Sequence, residues 1–186
     1  MPVLRSIQCK GEQDRTLISE LHAQRRITYM GERRAYAERI LLAHTDKENY
    51  LSAVSDTMAQ SHMMLPWLGN QAQPAVCLAQ KMTAILCHNR ILIGYRFFHN
   101  ILGGANASIY CMLRTLERIK ENEGKLPETF FYQVDGGAEN ANVVTLAMCE
   151  LLVAKGIVKK LVLTRLLVGH THCDIDAIFG VIWKKV

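Results

Sequence analysis

The sequence lacks the signatures of several protein classes. None of its six cysteines forms a Cys-x-x-Cys pair. No run approaches the ~18 apolar residues of a membrane span, and the first fifteen residues contain no apolar signal segment. We therefore expect an intracellular protein with free thiols and no membrane partner. The phosphate-binding loop, G-x-G-x-x-G and G-x-S-x-G motifs are also missing, which argues against the enzyme classes that depend on them.

The composition is that of an ordinary folded domain. The chain has 186 residues, of which 49% are apolar and 21% charged, so it can bury a substantial core and does not resemble a disordered protein. The formal net charge is +5, and the basic excess is concentrated between Lys155 and Val186. This excess suits a polyanionic partner, although a solvated surface that keeps the protein soluble has the same pattern.

The order of predicted elements indicates an α/β fold. Apolar periodicity predicts a helix over 16–44, which Gly31 could divide, and three strands that suggest an antiparallel meander. Helices and strands then alternate. This is the order of the RNase H-like fold, a mixed five-stranded sheet flanked by helices. We expect an N-terminal helical segment over 1–48 and the RNase H-like domain over 49–186, truncated within its last helix. The predicted strands are 49–56, 75–87, 91–98, 129–135 and 158–168, and the later helices are 107–123, 140–155 and 172–186.

Two of the predicted strands end at an aspartate. Asp56 ends the first strand and Asp135 ends the fourth. These strands are neighbours in the RNase H-like order, so the two carboxylates would lie side by side at the edge where α/β sheets bind ligands. Carboxylates at this spacing repel unless a cation lies between them, and Mg²⁺ prefers carboxylate, water and phosphate oxygens. The pair therefore predicts a metal site for phosphate chemistry, although a strand-end aspartate is also a common turn or cap residue.

The densest group of polar residues is the segment Gly169-His-Thr-His-Cys-Asp-Ile-Asp176. Asp174 or Asp176 could supply a third metal carboxylate, and Asp174 could instead cap the last helix. His170 and His172 could bind metal, contact phosphate, shuttle a proton or serve as hydrogen-bonded scaffolding. We do not expect structural zinc here, because no second pair of ligands accompanies the histidines.

Several other residues are candidates for supporting roles. Asn140 is predicted to cap the helix after Asp135, and Glu139 could approach the metal from the start of that helix. Basic residues near the C-terminus could hold a nucleic-acid backbone without reading its sequence. These are Lys159, Lys160, Lys184 and Lys185.

Three segments carry a resemblance to a known group of proteins: 55–60 with Leu65-Pro66, 133–142, and above all 168–179. With them, the sequence resembles an uncharacterised RNase H-like domain of transposon-derived eukaryotic proteins, similar to a transposase or integrase core. The resemblance implies a site that holds two Mg²⁺ or Mn²⁺ ions and cleaves or transfers nucleic-acid strands. It also implies DNA in preference to RNA as the partner, and the nucleus rather than the cytoplasm as the location. The implied acids are Asp56, Asp135 and either Asp174 or Asp176.

The sequence departs from that family's pattern at four positions. These are Thr57, Ala59, Ala141 and Cys173, the last standing where a Glu is usual. The departures give a second hypothesis, in which the domain has lost catalysis and serves as a nucleic-acid-binding or protein-interaction module.

Overall fold

The computed structural model describes residues 12–58, 78, 80–98, 101, 104–135, 142–165 and 174–183. The chain begins with a long helix, continues through three strands, and then alternates between helices and strands. The elements are α1 (Glu12–Thr45), β1 (Tyr50–Thr57), β2 (Gln80–Cys87), β3 (Ile91–Phe98), α2 (Ala105–Glu123), β4 (Thr129–Val134), α3 (Val143–Ala154), β5 (Lys160–Arg165) and α4 (Asp174–Trp183).

The five strands form one mixed sheet in the order β3-β2-β1-β4-β5. β1 pairs antiparallel with β2 and parallel with β4, and β5 extends the parallel half. β1 is buried along most of its length because it is the central strand and is covered on both faces. β3 alternates between half-buried and exposed residues, as expected for an edge strand with one covered face. The predicted α/β fold with a mixed five-stranded sheet is confirmed.

The two faces of the sheet carry different layers. On one face α2 and α3 cover the larger apolar core, to which β1 and β4 contribute Leu51, Ala53, Phe130 and Tyr132. On the other face α4 packs on a smaller cluster around Val54, and Tyr36 of α1 joins that cluster. Side chains alternate between the faces along each strand, so neighbouring residues of β1 serve different layers. The smaller cluster consists of Val54, Met58, Ala84, Ile175 and Phe179.

Several predicted boundaries can be compared with the structure. α1 runs unbroken through Gly31. Gly124 ends α2 in the left-handed conformation, with φ of 79°, which glycine adopts without the steric cost of a Cβ. The prediction that α3 is capped at Asn140 is wrong. Asn142 caps the helix, and its Oδ1 accepts a 2.9 Å hydrogen bond from the Thr145 amide. Both asparagines suit a cap, and the sequence alone does not choose between them.

Free cysteines and the absence of a membrane-spanning helix are two features that the sequence predicts and that bear on the compartment of the protein. Cys87, Cys111 and Cys149 are buried and free. Within the described ranges, no helix is long and apolar enough to cross a membrane.

Candidate carboxylate site

The parallel pairing of β1 and β4 brings two predicted site residues together. Ser55 lies opposite Val134 in the register, so the next residues along the two strands, Asp56 and Asp135, follow side by side. Side chains alternate between the two faces of a sheet, and Ser55 and Val134 face toward α2 and α3. Asp56 and Asp135, the next residues, therefore face away from the larger core. The two carboxylates therefore lie at the carboxyl end of the parallel pair, on the face covered by α4.

Helix α4 adds a third carboxylate to this edge of the sheet. Ile175 is fully buried, and with Phe179 it belongs to the same apolar cluster as Val54 and Met58, which lie two residues before and two residues after Asp56 in the sequence. Asp176 follows Ile175 and lies within hydrogen-bonding reach of the Asp56 carboxyl group. The sequence left Asp174 and Asp176 equivalent as the third acid, and in the structure Asp176 is the one that interacts with Asp56.

The surroundings of Asp56 disfavour its charged form. Burial is the main cause, and the neighbouring charges of Asp176 and Asp135 act in the same direction, raising the pKa of Asp56 from 3.8 to about 6. The backbone amide of Thr57 opposes this shift by donating a 2.8 Å hydrogen bond to Oδ1 of Asp56. A direct hydrogen bond between two carboxyl groups requires a proton on one of them. A proton on Asp56 would therefore relieve the repulsion that this carboxyl group meets from Asp176 and Asp135.

Asp174 belongs to a different cluster, at the start of α4. Its Oδ2 accepts a 3.3 Å hydrogen bond from the Tyr36 hydroxyl of α1 and lies 3.5 Å from Nε2 of His88. The Tyr36 hydroxyl is also 3.0 Å from His88 Nε2. On the other side of the ring, Nδ1 of His88 lies 3.1 Å from the Ser52 carbonyl oxygen. These four residues, Ser52, Tyr36, His88 and Asp174, are called the anchor cluster below.

The bonding of His88 follows from its partners. Nδ1 lies against the carbonyl oxygen and the hydroxyl of Ser52, and Nε2 lies against the Tyr36 hydroxyl. Both ring nitrogens therefore have a hydrogen-bonding partner, and the donor in each contact depends on the tautomer. Burial lowers the pKa of His88, and the contacts with Ser52 and Asp174 oppose that shift. His88 is 6% exposed. Its position in the core is explained by these hydrogen bonds, because a buried polar group needs partners.

The carboxylate oxygens at the sheet edge are ligands of the type that a hard cation prefers. The side chains that carry them, however, are too far apart to share one cation as they stand. Three carboxylates, Asp56, Asp135 and Asp176, interact there, and oxygen ligands of this type bind Mg²⁺ and Mn²⁺. In the described part of the chain, however, no three His, Cys, Asp or Glu side chains are grouped so that they could hold a metal ion as they stand. The side chains would have to draw together to share one.

Other predicted site residues lie away from the carboxylates or outside the described part of the chain. Lys159 and Lys160 precede or begin β5, and Lys160 is paired with Thr129 at the start of β4. Asp135 lies six residues further along, roughly 20 Å away at ~3.3 Å per residue. Lys159 forms an ion pair with Glu128 at that far end. The structure does not bring these lysines to the carboxylates. The residues outside the described ranges are Glu139, Asn140, His170, His172, Lys184 and Lys185.

The anchor cluster was not predicted from the sequence. Tyr36 lies in a long helix, Ser52 in a strand, and His88 in the turn from Cys87 to Ile91 that joins β2 to β3. The turn itself was predicted, and a histidine at its start was the one available signal. Nothing local to any of the four residues indicates that they meet.

Comparison with known protein families gives a match to part of the chain. A family described as a domain of unknown function, DUF7869, matches residues 70–186. The matched segment contains Asp135, Asp174 and Asp176, whereas Asp56 and Tyr36 precede it. No curated protein and no solved structure matches the chain.

Proposed function

The chain belongs to the DUF7869 family of domains of unknown function, and we propose that it is an RNase H-like, metal-dependent nuclease or polynucleotidyl transferase. Its substrate would be nucleic acid, with DNA preferred to RNA, as expected for a transposase-like protein of the nucleus. The element order supports the fold assignment, because an antiparallel meander is followed by parallel strands joined through helices.

One observation carries the proposal: three aspartates from distant parts of the sequence converge at the carboxyl end of β1 and β4. Asp56 and Asp135 follow paired residues in the register, and Asp176 reaches Asp56 from α4. A half-buried carboxylate among like charges destabilises the fold at neutral pH. This arrangement is understandable if a ligand compensates for the cost.

A divalent cation is the ligand that this donor set suits best. Asp56, Asp135 and Asp176 would hold Mg²⁺ or Mn²⁺, with two ions expected by resemblance to transposase cores. Bound there, the metal would activate a water or hydroxyl nucleophile and neutralise charge on a phosphoryl oxygen.

The residues of the chain would set the geometry and the charge of the site. Asp56 stands on β1 and Asp135 directly follows β4, so the pairing of these strands holds their backbone positions. Asp176 is held by the packing of Ile175. Without a cation, Asp56 retains a proton at mildly acidic pH, because its pKa is about 6. Loss of this proton from the Asp56 carboxyl group would accompany metal binding, so binding should weaken below pH 6.

The test is cleavage of labelled single- and double-stranded DNA and RNA by the purified chain, with Mg²⁺, Mn²⁺ or EDTA. We expect cleavage or joining with Mg²⁺ or Mn²⁺ only. Asp135→Asn should abolish it, because loss of one metal carboxylate removes a charge the site needs. Glu150→Gln, the same chemical change at an exposed position of α3, should leave it unchanged. Activity that persists in EDTA, or no activity and no Mn²⁺ binding, would overturn the proposal.

A non-catalytic role in nucleic-acid binding is the second candidate. It is favoured by the finding that no three ligands in the described residues are grouped for a metal ion as they stand. DNA binding that survives Asp56→Asn, Asp135→Asn and Asp176→Asn together, without a metal requirement, would support it.

A further inference from the structure

The first turn of α4 is held from two sides. Asp174 and Asp176 are two residues apart, so their side chains leave the helix about 200° apart at ~100° per residue. Ile175 lies between them and is fully buried against the sheet. One aspartate therefore lies on each side of the line along which α4 contacts the sheet. Asp174 meets Tyr36 and His88 on one side, and Asp176 meets Asp56 on the other.

The anchor cluster ties this turn to three other elements. Tyr36 contributes a hydroxyl from α1, and His88 contributes a ring from the β2–β3 turn. His88 is held in turn by Ser52, with Nδ1 lying 3.0 Å from the Ser52 Oγ and 3.1 Å from its carbonyl oxygen. Ser52 lies on β1, four residues before Asp56. β1 therefore carries both Asp56 and Ser52, the residue that holds the His88 ring of the anchor cluster.

We propose that Asp174, Tyr36 and His88 are positioning residues that fix the rotation of α4 and thereby hold Asp176 against Asp56. The proposal rests on the proposed function for its consequence, which is the metal affinity of the carboxylate site. Under this assignment Asp174 is not a metal ligand, although it is the other acid that the sequence offered for that role. Its carboxylate acts by accepting the hydrogen bond from Tyr36.

Replacing Asp174 or Asp176 by asparagine distinguishes a residue that positions α4 from a residue that binds the metal. An asparagine at 174 keeps an oxygen that accepts from Tyr36, so Asp174→Asn should bind Mn²⁺ about as well as the unmodified chain. Asp174→Ala and Tyr36→Phe remove the hydrogen bond and should weaken Mn²⁺ binding about 10- to 100-fold, as is usual for groups that orient metal ligands. Asp176→Asn should abolish the binding. Mn²⁺ affinity is measured by electron paramagnetic resonance on the full chain.

Thr164→Val is the matched control for Tyr36→Phe. Arg39 of α1 donates a 3.1 Å hydrogen bond to the Thr164 hydroxyl of β5, so this variant also removes one hydroxyl that links α1 to the sheet. It leaves the anchor cluster intact and should keep the Mn²⁺ affinity unchanged. Loss of binding in Asp174→Asn equal to that in Asp176→Asn would overturn the assignment, as would equal weakening in Thr164→Val and Tyr36→Phe.

Amide hydrogen exchange without metal provides a readout that does not depend on the proposed function. In Tyr36→Phe the amides of α4 should exchange about tenfold faster relative to those of α3, and in Thr164→Val the ratio should stay unchanged. If the unmodified chain binds no Mn²⁺, the proposed function fails and exchange still decides whether the cluster holds α4. If Mn²⁺ binds and Tyr36→Phe changes neither affinity nor exchange, the positioning proposal alone fails.

Discussion

The two faces of the sheet are built from the same strands and differ in what they bury. The face under α2 and α3 is almost continuously apolar, with large side chains such as Phe130, Tyr132 and Ile119 at its centre. The face under α4 has a small apolar cluster. Next to that cluster lie Asp56 and Asp176, and further back the anchor cluster around His88.

The two faces therefore contribute differently to the molecule: one supplies most of the apolar burial, and the other carries the candidate site residues. Apolar burial contributes roughly 25 cal/mol per Å², so the larger core supplies most of the stabilisation. The α4 face buries polar and charged groups, which stabilise a fold only when they are paired. Burial and the neighbouring like charges disfavour the charged form of Asp56, so this carboxylate costs stability at neutral pH. Three sets of substitutions test this difference between the faces, from the largest expected effect to the smallest.

The matched phenylalanines Phe130 and Phe179 compare the two faces directly. Phe130→Ala should lower the free energy of unfolding by about 3–5 kcal/mol, because it empties the centre of the larger core. Phe179→Ala should cost roughly half as much, since its cluster has only five buried members and the lost side chain has fewer apolar neighbours there. Equilibrium unfolding in urea measures both. Equal losses would contradict the division between the faces.

Asp56→Asn, on the α4 face, should raise the free energy of unfolding, whereas the two phenylalanine substitutions lower it. The folded chain raises the pKa of Asp56 to about 6, so the stabilising contribution of the protonated form is present below pH 3.8 and is lost as pH rises through 6. Removing the charge should therefore raise stability at pH 8 by about 1 kcal/mol, after allowance for solvent screening. The gain in Tm should disappear at pH 4. A gain that is the same at both pH values would show that charge is not its cause.

Asn142→Ala tests the first turn of α3, on the apolar face. Loss of the side-chain cap should lower the free energy of unfolding by about 1 kcal/mol. Asn142→Ser, which can still cap, should lose little. Calorimetry measures the stability, and Mn²⁺ affinity should be unchanged in both variants because the cap lies on the other face. A weakened Mn²⁺ affinity would show that the faces are coupled.

Local patterns in the sequence predicted the elements and the strand-terminal acids. Alternating or continuous apolar runs identified all five strands, and two of these runs ended at Asp56 and Asp135. The choice between Asp174 and Asp176 depended on how α4 rotates about its axis, which is set by contacts with Tyr36 and His88. Those contacts join residues far apart in the chain, and no local spacing encodes them.

The central position of β1 has a consequence for how the chain folds. β1 is complete at Thr57, but its partners β2 and β4 begin only at Gln80 and Thr129. Such non-local pairing must close long loops before it gains contacts, and it slows folding. During synthesis, the apolar strand that carries Asp56 would therefore stay unpaired until both neighbouring strands emerge. Unpaired strand edges of this kind favour aggregation, so the yield of folded protein should depend on how fast β4 reaches β1.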